Sequence, residues 1–241
     1  MRVAILADIH GNLTAFDAVL QALAQEHVDQ MVCLGDVAIF GPQPQATLQR
    51  LQTLGCPVVM GNTDAWALAP TPHPWRNEET PRFNDIELWG AQQLTAAALT
   101  FIRTFQPTVA LDLGETTLLC YHGSPRSYHD PIVATTTDIE LAPLLGDTTA
   151  HLLAGGHTHQ PYVRRYRNQW LLNPGSVGLP FEHLPDGAVR NPPRAEYALV
   201  TQSAQQSSIE LRQVPYDLDA LIAAVHNSAM PHADWWLGDW R

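Results

Sequence analysis

The sequence predicts an α/β fold in which two mixed β-sheets pack face to face and helices cover the outside. Three observations carry that prediction. Short β-rich apolar runs alternate with helical patterns over the first two-thirds of the 241 residues. Further along, pairs of strand-like runs are separated by turn residues, which is the texture of hairpins. The early runs also end beside glycine and Asp, Asn or His, as though one sheet edge gathered polar side chains.

Val3–Ala7 opens the chain as a buried strand and leads to Asp8. Phe16, Val19, Leu20 and Leu23 then recur at i, i+3, i+4, i+7, so Thr14–Gln25 is expected to be an amphipathic helix with Asn12 placed to cap it. Met31–Leu34 is the second strand and runs into Gly35-Asp36, and Ala46–Leu54 is a shorter helix. Val58–Met60 reads as a third strand leading to Gly61-Asn62. Ile86, Trp89, Leu94, Ala97, Phe101 and Ile102 mark one long helix over Asn84–Phe105, stopped by Pro107. Thr108–Leu113 and Thr116–Tyr121 flank Gly114-Glu115 as a hairpin, whose second run leads to His122-Gly123. Leu152–Ala154 is a strand that ends in Gly155-Gly156-His157-Thr158-His159. Tyr162–Tyr166 with Gln169–Leu172, and Ala195–Thr201 with Ser208–Gln213, form the closing pairs.

Two segments stand outside this plan. Ala69–Phe83 carries prolines at 70, 72, 74 and 81 together with His73 and Trp75, and reads either as an ordered excursion or lid at 66–83 or, equally, as a plain surface loop. The tail, residues 217–241, opens as a helix (Leu218, Leu221, Ile222, Val225) and closes with Trp235, Trp236 and Trp240. Three tryptophans so close together are expected to dock on the body or on a second copy of the chain. The length suits one domain over residues 1–241.

Composition narrows the function. Acidic residues outnumber basic ones 24 to 13, for a formal charge of −11, which argues against tracking long nucleic acid across a basic surface. Three cysteines (Cys33, Cys56, Cys120) argue against a disulfide framework. There is no signal-peptide layout and no apolar segment near the ~18–20 residues of a membrane span. The expected compartment is the cytoplasm, with no membrane partner.

The polar residues at the strand ends carry the chemistry. Asp8 and His10 follow the first run, Asp36 the second, Asn62 the third, His122 the fourth, and His157 with His159 the fifth. A lone Asp after a strand is commonly a helix cap, and a lone His is commonly a surface residue. Five strand ends in succession bearing metal-ligand types make a different observation. Carboxylate oxygens mixed with imidazoles suit Mn, Fe, Zn or Ni rather than Ca.

Asp8-Ile9-His10-Gly11-Asn12, Gly35-Asp36, Gly61-Asn62, His122-Gly123 and Gly156-His157-Thr158-His159 resemble the five ordered blocks of the calcineurin-like metallophosphoesterases. Asn173-Pro174-Gly175-Ser176-Val177-Gly178 is similar to the branch of small bacterial and archaeal phosphodiesterases. The resemblance runs from residue 8 to about 180 and implies an αββα sandwich with two divalent transition-metal ions, manganese among the candidates. It implies that Asp8, His10 and His159 hold one ion, that Asn62, His122 and His157 hold the other, and that Asp36 bridges them. Asp36 and His122 are the residues it places closest to catalysis. The implied reaction is hydrolysis of a small phosphoester, a diester above all, by a hydroxide shared between the ions. Monoesters and dinucleoside polyphosphates need the same core. Some relatives of this fold, such as the retromer subunit, serve as interaction surfaces, which is the alternative of another class.

One position departs from the pattern. Many members of the family have His after the third-block Asn, where it helps protonate the leaving oxygen; here Thr63 stands there. Threonine is no general acid near pH 7, and such help is typically worth ~10²–10⁴ in rate. His73 could substitute if its segment folds over the site; otherwise it is an exposed loop histidine, the reading the sequence favours. Asn12 and Thr63 are the expected substrate contacts, and Asp64 is read as a cap or as a support behind the ligands. Ser124 and Arg126 either line the pocket or form a surface turn. His27, His129, His151, His183, His226 and His232 do not fit the metal blocks and are read as structural or surface residues, with His129 and His183 the best placed of them to border the cleft.

Overall fold

The computed structural model describes residues 1–203 and 207–240. In chain order the elements are β1 (Arg2–Leu6), α1 (Leu13–Leu23), β2 (Gln30–Cys33), α2 (Pro44–Leu54), α3 (Asn62–Ala67), α4 (Thr80–Gln92), α5 (Ala96–Ile102), β3 (Val109–Asp112), β4 (Thr117–Cys120), α6 (Asp138–Leu145) and β5 (Leu152–Ala154). They continue with β6 (Tyr162–Tyr166), β7 (Gln169–Asn173), β8 (Glu182–His183), β9 (Val189–Arg190), β10 (Arg194–Gln202), β11 (Ser207–Pro215), α7 (Leu218–Asn227) and α8 (Ala233–Leu237).

The strands make two mixed sheets, ordered β11-β10-β1-β2 and β3-β4-β5-β7-β6, with β8-β9 a small separate pair. β1 runs parallel to β2, and β4, β5 and β7 run parallel to one another. Side chains alternate across β1 with the period of two that a strand imposes. Val3 and Ile5 face the second sheet, where they pack in a core with Val32, Leu118, Cys120, Leu152, Ala154 and Leu172. Ala4 and Leu6 face the other way, into a core with Phe16 and Val19 of α1 and Leu48 and Leu51 of α2. The outer face of the second sheet is closed by Leu141 and Leu145 of α6 against Leu153, Tyr162 and Leu171. The layers are therefore helix, sheet, sheet, helix.

Asn12 caps α1 as expected, its Oδ1 accepting from the Ala15 amide at 3.0 Å. Two expectations are corrected. The long helix over 84–105 is two helices, because Thr95 takes extended backbone and caps α5 with its own hydroxyl, accepting from the Ala98 amide. Val58–Met60 is not a strand: it lies at the sheet margin and makes only single bridges, Val58 to Cys33 and Val59 to Gln106. The chain also forms α3 and α6, which the apolar pattern did not announce.

The tail folds back on the body. Trp236 and Trp240 are buried in a cluster with Ile86 of α4 and with Leu221 and Val225 of α7. Trp236 Nε1 donates to the Phe40 carbonyl at 2.9 Å, Arg82 lies over the Trp235 ring, and Trp235 meets Phe83 edge-on. The tail thus fastens α4 to the rest of the molecule. Cys33, Cys56 and Cys120 are free thiols. Among the described residues no helix is long and apolar enough to cross a membrane.

Candidate metal centre

Parallel strands deliver their carboxyl ends to one edge, and the ligand-type side chains meet there. Asp8 and His10 follow β1, Asp36 follows β2, His122 follows β4, and His157 and His159 follow β5. Two clusters result: Asp8, His10 and His159, and Asp36, His122 and His157, each with its candidate ligand atoms within 4.8 Å of one another. Asn62, the first residue of α3, joins the second cluster, with Oδ1 2.9 Å from His122 Nε2. Asp36 faces both: its Oδ2 lies 3.4 Å from His122 Nε2 and 3.7 Å from His10 Nε2. All seven expected ligand residues are thus brought together.

The backbone reaches this arrangement under strain. Asp8, His10, Asp36, His157 and His159 all have φ between 48° and 67°, the left-handed region that non-glycine residues seldom occupy. Each such residue costs of order 1–3 kcal/mol unless its surroundings fix it. The fixing is visible. Asp64 is fully buried, and its carboxylate accepts from the amides of Asp36 (2.7 Å), Val37 (3.0 Å) and Gly61 (3.1 Å). It is at once the support behind Asp36 and part of the cap of α3. The Asp36 carboxylate in turn accepts from the Thr63 amide at 2.9 Å. Asp8 is held by the His157 amide and by the Asn173–Gly178 turn, in which Ser176 Oγ and the Gly178 amide donate to the Asp8 carbonyl. Gly61 must be glycine because a Cβ there would overlap the Asp36 amide and carboxylate.

Hydrogen bonding fixes which nitrogens point inward. Nδ1 of His10, His122 and His159 lies 2.8, 2.8 and 2.7 Å from the carbonyls of Ile39, Leu34 and Leu179. A carbonyl only accepts, so each Nδ1 carries the proton, and Nε2 is the atom offered to the centre. His10 Nε2 and His159 Nε2 face each other at 3.1 Å. Two lone pairs so placed repel unless a positive centre lies against both. This donor set, neutral imidazoles with two carboxylates and an amide oxygen, fits divalent transition metals.

Electrostatics agree. Burial, and then the nearby His10, press His159 down to about 3, and burial with His122 presses His157 to about 4. Burial likewise lowers His10. All three are neutral at pH 7, as ligands must be. Burial also raises the Asp8 carboxyl well above the usual carboxylate range. Burial opposes ionisation of Asp36 too, but His122 and His10 outweigh it and hold Asp36 well below that range. His122 is lowered by burial and lifted more strongly by Asp36, to about 9, so it carries the positive charge that a bound cation would replace.

Beside the centre opens a cavity of about 440 Å³, lined by Asn62, Thr63, Trp66, His73, Phe83 and Glu87 with Arg76, Asn77, Thr80 and His129. Thr63 is placed at this cavity, and its Oγ1 is buried with no hydrogen-bond partner. His129 borders the cavity. His183 is an exposed residue against Phe181, which packs on His159. Asn12 is corrected: it is fully buried, and beyond its capping bond its Nδ2 donates to the Gly178 carbonyl at 3.1 Å, so it braces the turn behind the site instead of facing the cavity. Ser124 and Arg126 both bond Asp130, forming a closed turn. The sequence did not announce Glu87 and Phe83 of α4, or Arg76 just before it, as walls, because α4 is brought to the site by packing against distant residues such as Phe40 and the tail.

A family model described as the calcineurin-like phosphoesterase superfamily domain matches residues 1–201. An uncharacterised protein of Methanocaldococcus jannaschii is 23% identical over 256 residues, covering 98% of this chain and 96% of that one. The crystal structure of a metallophosphoesterase from Sphaerobacter thermophilus superposes with a TM-score of 0.74 at 25% identity, covering 99% of this chain and 98% of that one. A hypothetical protein from Pyrococcus horikoshii shares the fold with a TM-score of 0.78 at 20% identity, covering 96% and 94%. With the fold, the two ligand clusters and the match over most of its length in agreement, the chain belongs to the calcineurin-like phosphoesterase superfamily.

Proposed function

We propose that the protein hydrolyses phosphoesters with the help of two divalent transition-metal ions, and that phosphodiesters are its substrates. The observation that supports this best is the pair of ligand clusters sharing Asp36, with three imidazoles locked by backbone carbonyls so that Nε2 faces inward. Asp8, His10 and His159 would hold one ion, Asn62, His122 and His157 the other, and Asp36 both. Ions bound there would supply positive charge to the phosphoryl oxygens and a water of lowered pKa. The chain's own part is to hold those groups rigid through Asp64 and the carbonyl anchors.

The adjoining cavity has room for an organic group beyond the phosphate, and the diester preference rests on the resemblance of Asn173–Gly178 to the phosphodiesterase branch. Phosphomonoesters and dinucleoside polyphosphates are the enzymatic alternatives. The interaction-scaffold alternative draws little from the tail, since Trp236 and Trp240 are spent on the chain's own core.

The test is to strip the protein with chelator, add Mn, Ni, Zn or Fe(II) in turn, and assay monoesters, diesters, cyclic nucleotides and dinucleoside polyphosphates. Activity on diesters that returns with metal is the expected result. An ion at 100 times its Kd should also stabilise the fold by about 2.7 kcal/mol, seen as a rise in Tm. Asp36→Asn should remove turnover and lower metal content while leaving the circular dichroism unchanged. A protein that takes up no metal, or an Asp36→Asn variant with full activity, would refute the reading.

A further inference from the structure

The cavity beside Asn62 and Thr63 carries a feature of its own. His73 Nε2 lies 3.0 Å from Glu87 Oε2, and the Glu87 side chain is only 12% exposed. The contact is an ion pair without hydrogen-bond geometry, since Glu87 Oε2 has no hydrogen-bond partner; a carboxylate so close favours the protonated ring and leaves the other nitrogen to do work. Among the described residues, no hydrogen-bond partner stands against His73 Nδ1.

Two further side chains hold the residue, Asn84 at its backbone and Trp66 at its ring. Asn84 Oδ1 accepts from the His73 amide at 2.7 Å, and Asn84 Nδ2 donates to the His73 carbonyl at 3.0 Å. The Trp66 ring lies against the His73 ring, with centroids 6.0 Å apart and planes within 16°. Trp66 belongs to α3, the helix that begins with Asn62. The ring is therefore tied to the same helix as a candidate ligand, although its own segment is irregular and proline-rich. An exposed histidine that merely decorates a loop has no need of a bidentate backbone clamp, an aromatic backing and a buried carboxylate together. Such preorganisation is what a proton donor requires.

Resting on the phosphoesterase reading above, we propose that this cavity is the leaving-group subsite and that His73, positioned by Glu87, protonates the leaving oxygen. In that step a water gives one proton to solvent and its oxygen bonds to phosphorus. The P–O bond to the leaving alcohol breaks with its electron pair on oxygen, and the His73 ring proton passes to that oxygen. The product alcohol departs neutral, and the ring regains a proton from solvent. Thr63 cannot act as that acid, and its Oγ1 is buried. The leaving groups favoured are alcohols carrying a planar ring, because Trp66 and Phe83 form apolar walls of the cavity.

The experiment uses full-length, metal-loaded protein and a series of methyl aryl and methyl alkyl phosphodiesters whose leaving alcohols span a wide pKa range. A proton donor matters most when the leaving group is poor. His73→Ala and the bulkier His73→Gln should lower kcat by ~10²–10⁴ on the alkyl esters, and by less than about 3-fold on the 4-nitrophenyl ester. Glu87→Gln should steepen the leaving-group dependence in the same sense, by about 10-fold on the alkyl esters, without a matching rise in KM. His73 variants that slow every ester equally, or none, overturn the proposal while leaving the phosphoesterase reading intact. A metal-loaded wild type that cleaves no ester in the series overturns both.

Discussion

Replacing Asp64 tests whether the strained ligand backbone is held from behind. Asp64→Ala would strand three buried donors, the amides of Asp36, Val37 and Gly61. A buried donor left without a partner costs ~1–3 kcal/mol. Water entering the hole relieves part of the total, so the expected loss is about 3–6 kcal/mol, a large share of the ~5–15 kcal/mol that holds a domain folded. Asp64→Asn is the sharper probe. Its amide oxygen can keep the two bonds made by Oδ2, while its NH2 group then faces the Val37 amide, donor against donor. That predicts a loss of about 1–3 kcal/mol with the fold retained. The functional consequence is larger than the structural one. Asp36 sits at φ 53°, and with its amide loosened the residue can relax and swing its carboxylate away from both clusters. Partners standing behind metal ligands are typically worth 10–100-fold in metal affinity. Urea unfolding and Mn²⁺ titration against a fluorescent chelator measure the two effects separately. An Asp64→Asn variant with the wild-type urea midpoint and wild-type Mn²⁺ affinity would refute the argument.

Gly61→Ala drives a methyl into the Asp36 amide and carboxylate, so metal uptake should fall at least 10-fold, in line with other losses behind a ligand; equilibrium dialysis against Mn²⁺ would show it. Trp236→Ala removes a ring that is 4% exposed together with its bond to the Phe40 carbonyl. The expected loss is ~3–5 kcal/mol by urea denaturation, and a change under about 1 kcal/mol would mean that the tail does not fasten α4. Thr95→Ala should cost about 1 kcal/mol by the same measurement, because it removes the hydroxyl that starts α5; no change would mean that the break between α4 and α5 does not depend on that cap.

The seven ligand positions were legible because each follows an apolar run and belongs to a residue class with few reasons to cluster otherwise. The hairpins were legible from the turn residues Gly114-Glu115 and Arg167-Asn168 standing between strand-like runs. What was hidden depends on contacts far apart in the chain. α3 has too few turns to display an apolar stripe, and its boundary is set by Asp64 reaching back to the Gly61 amide. The break at Thr95 was masked because the apolar spacing runs through it. Asn12 looked like a substrate contact because nothing local reveals a bond to Gly178, 166 residues away. The cavity walls from α4 could not be anticipated without the tail that presses the helix into place.

The left-handed turns at Asp8, His10, Asp36, His157 and His159 set survival of the fold against survival of the chemistry. Glycine tolerates that conformation freely, so an exchange that abolishes a ligand can also relax the chain around it. Variants that melt later than the parent are therefore expected among the inactive ones, and a screen for thermal hardiness alone would tend to select against the very residues that make the centre.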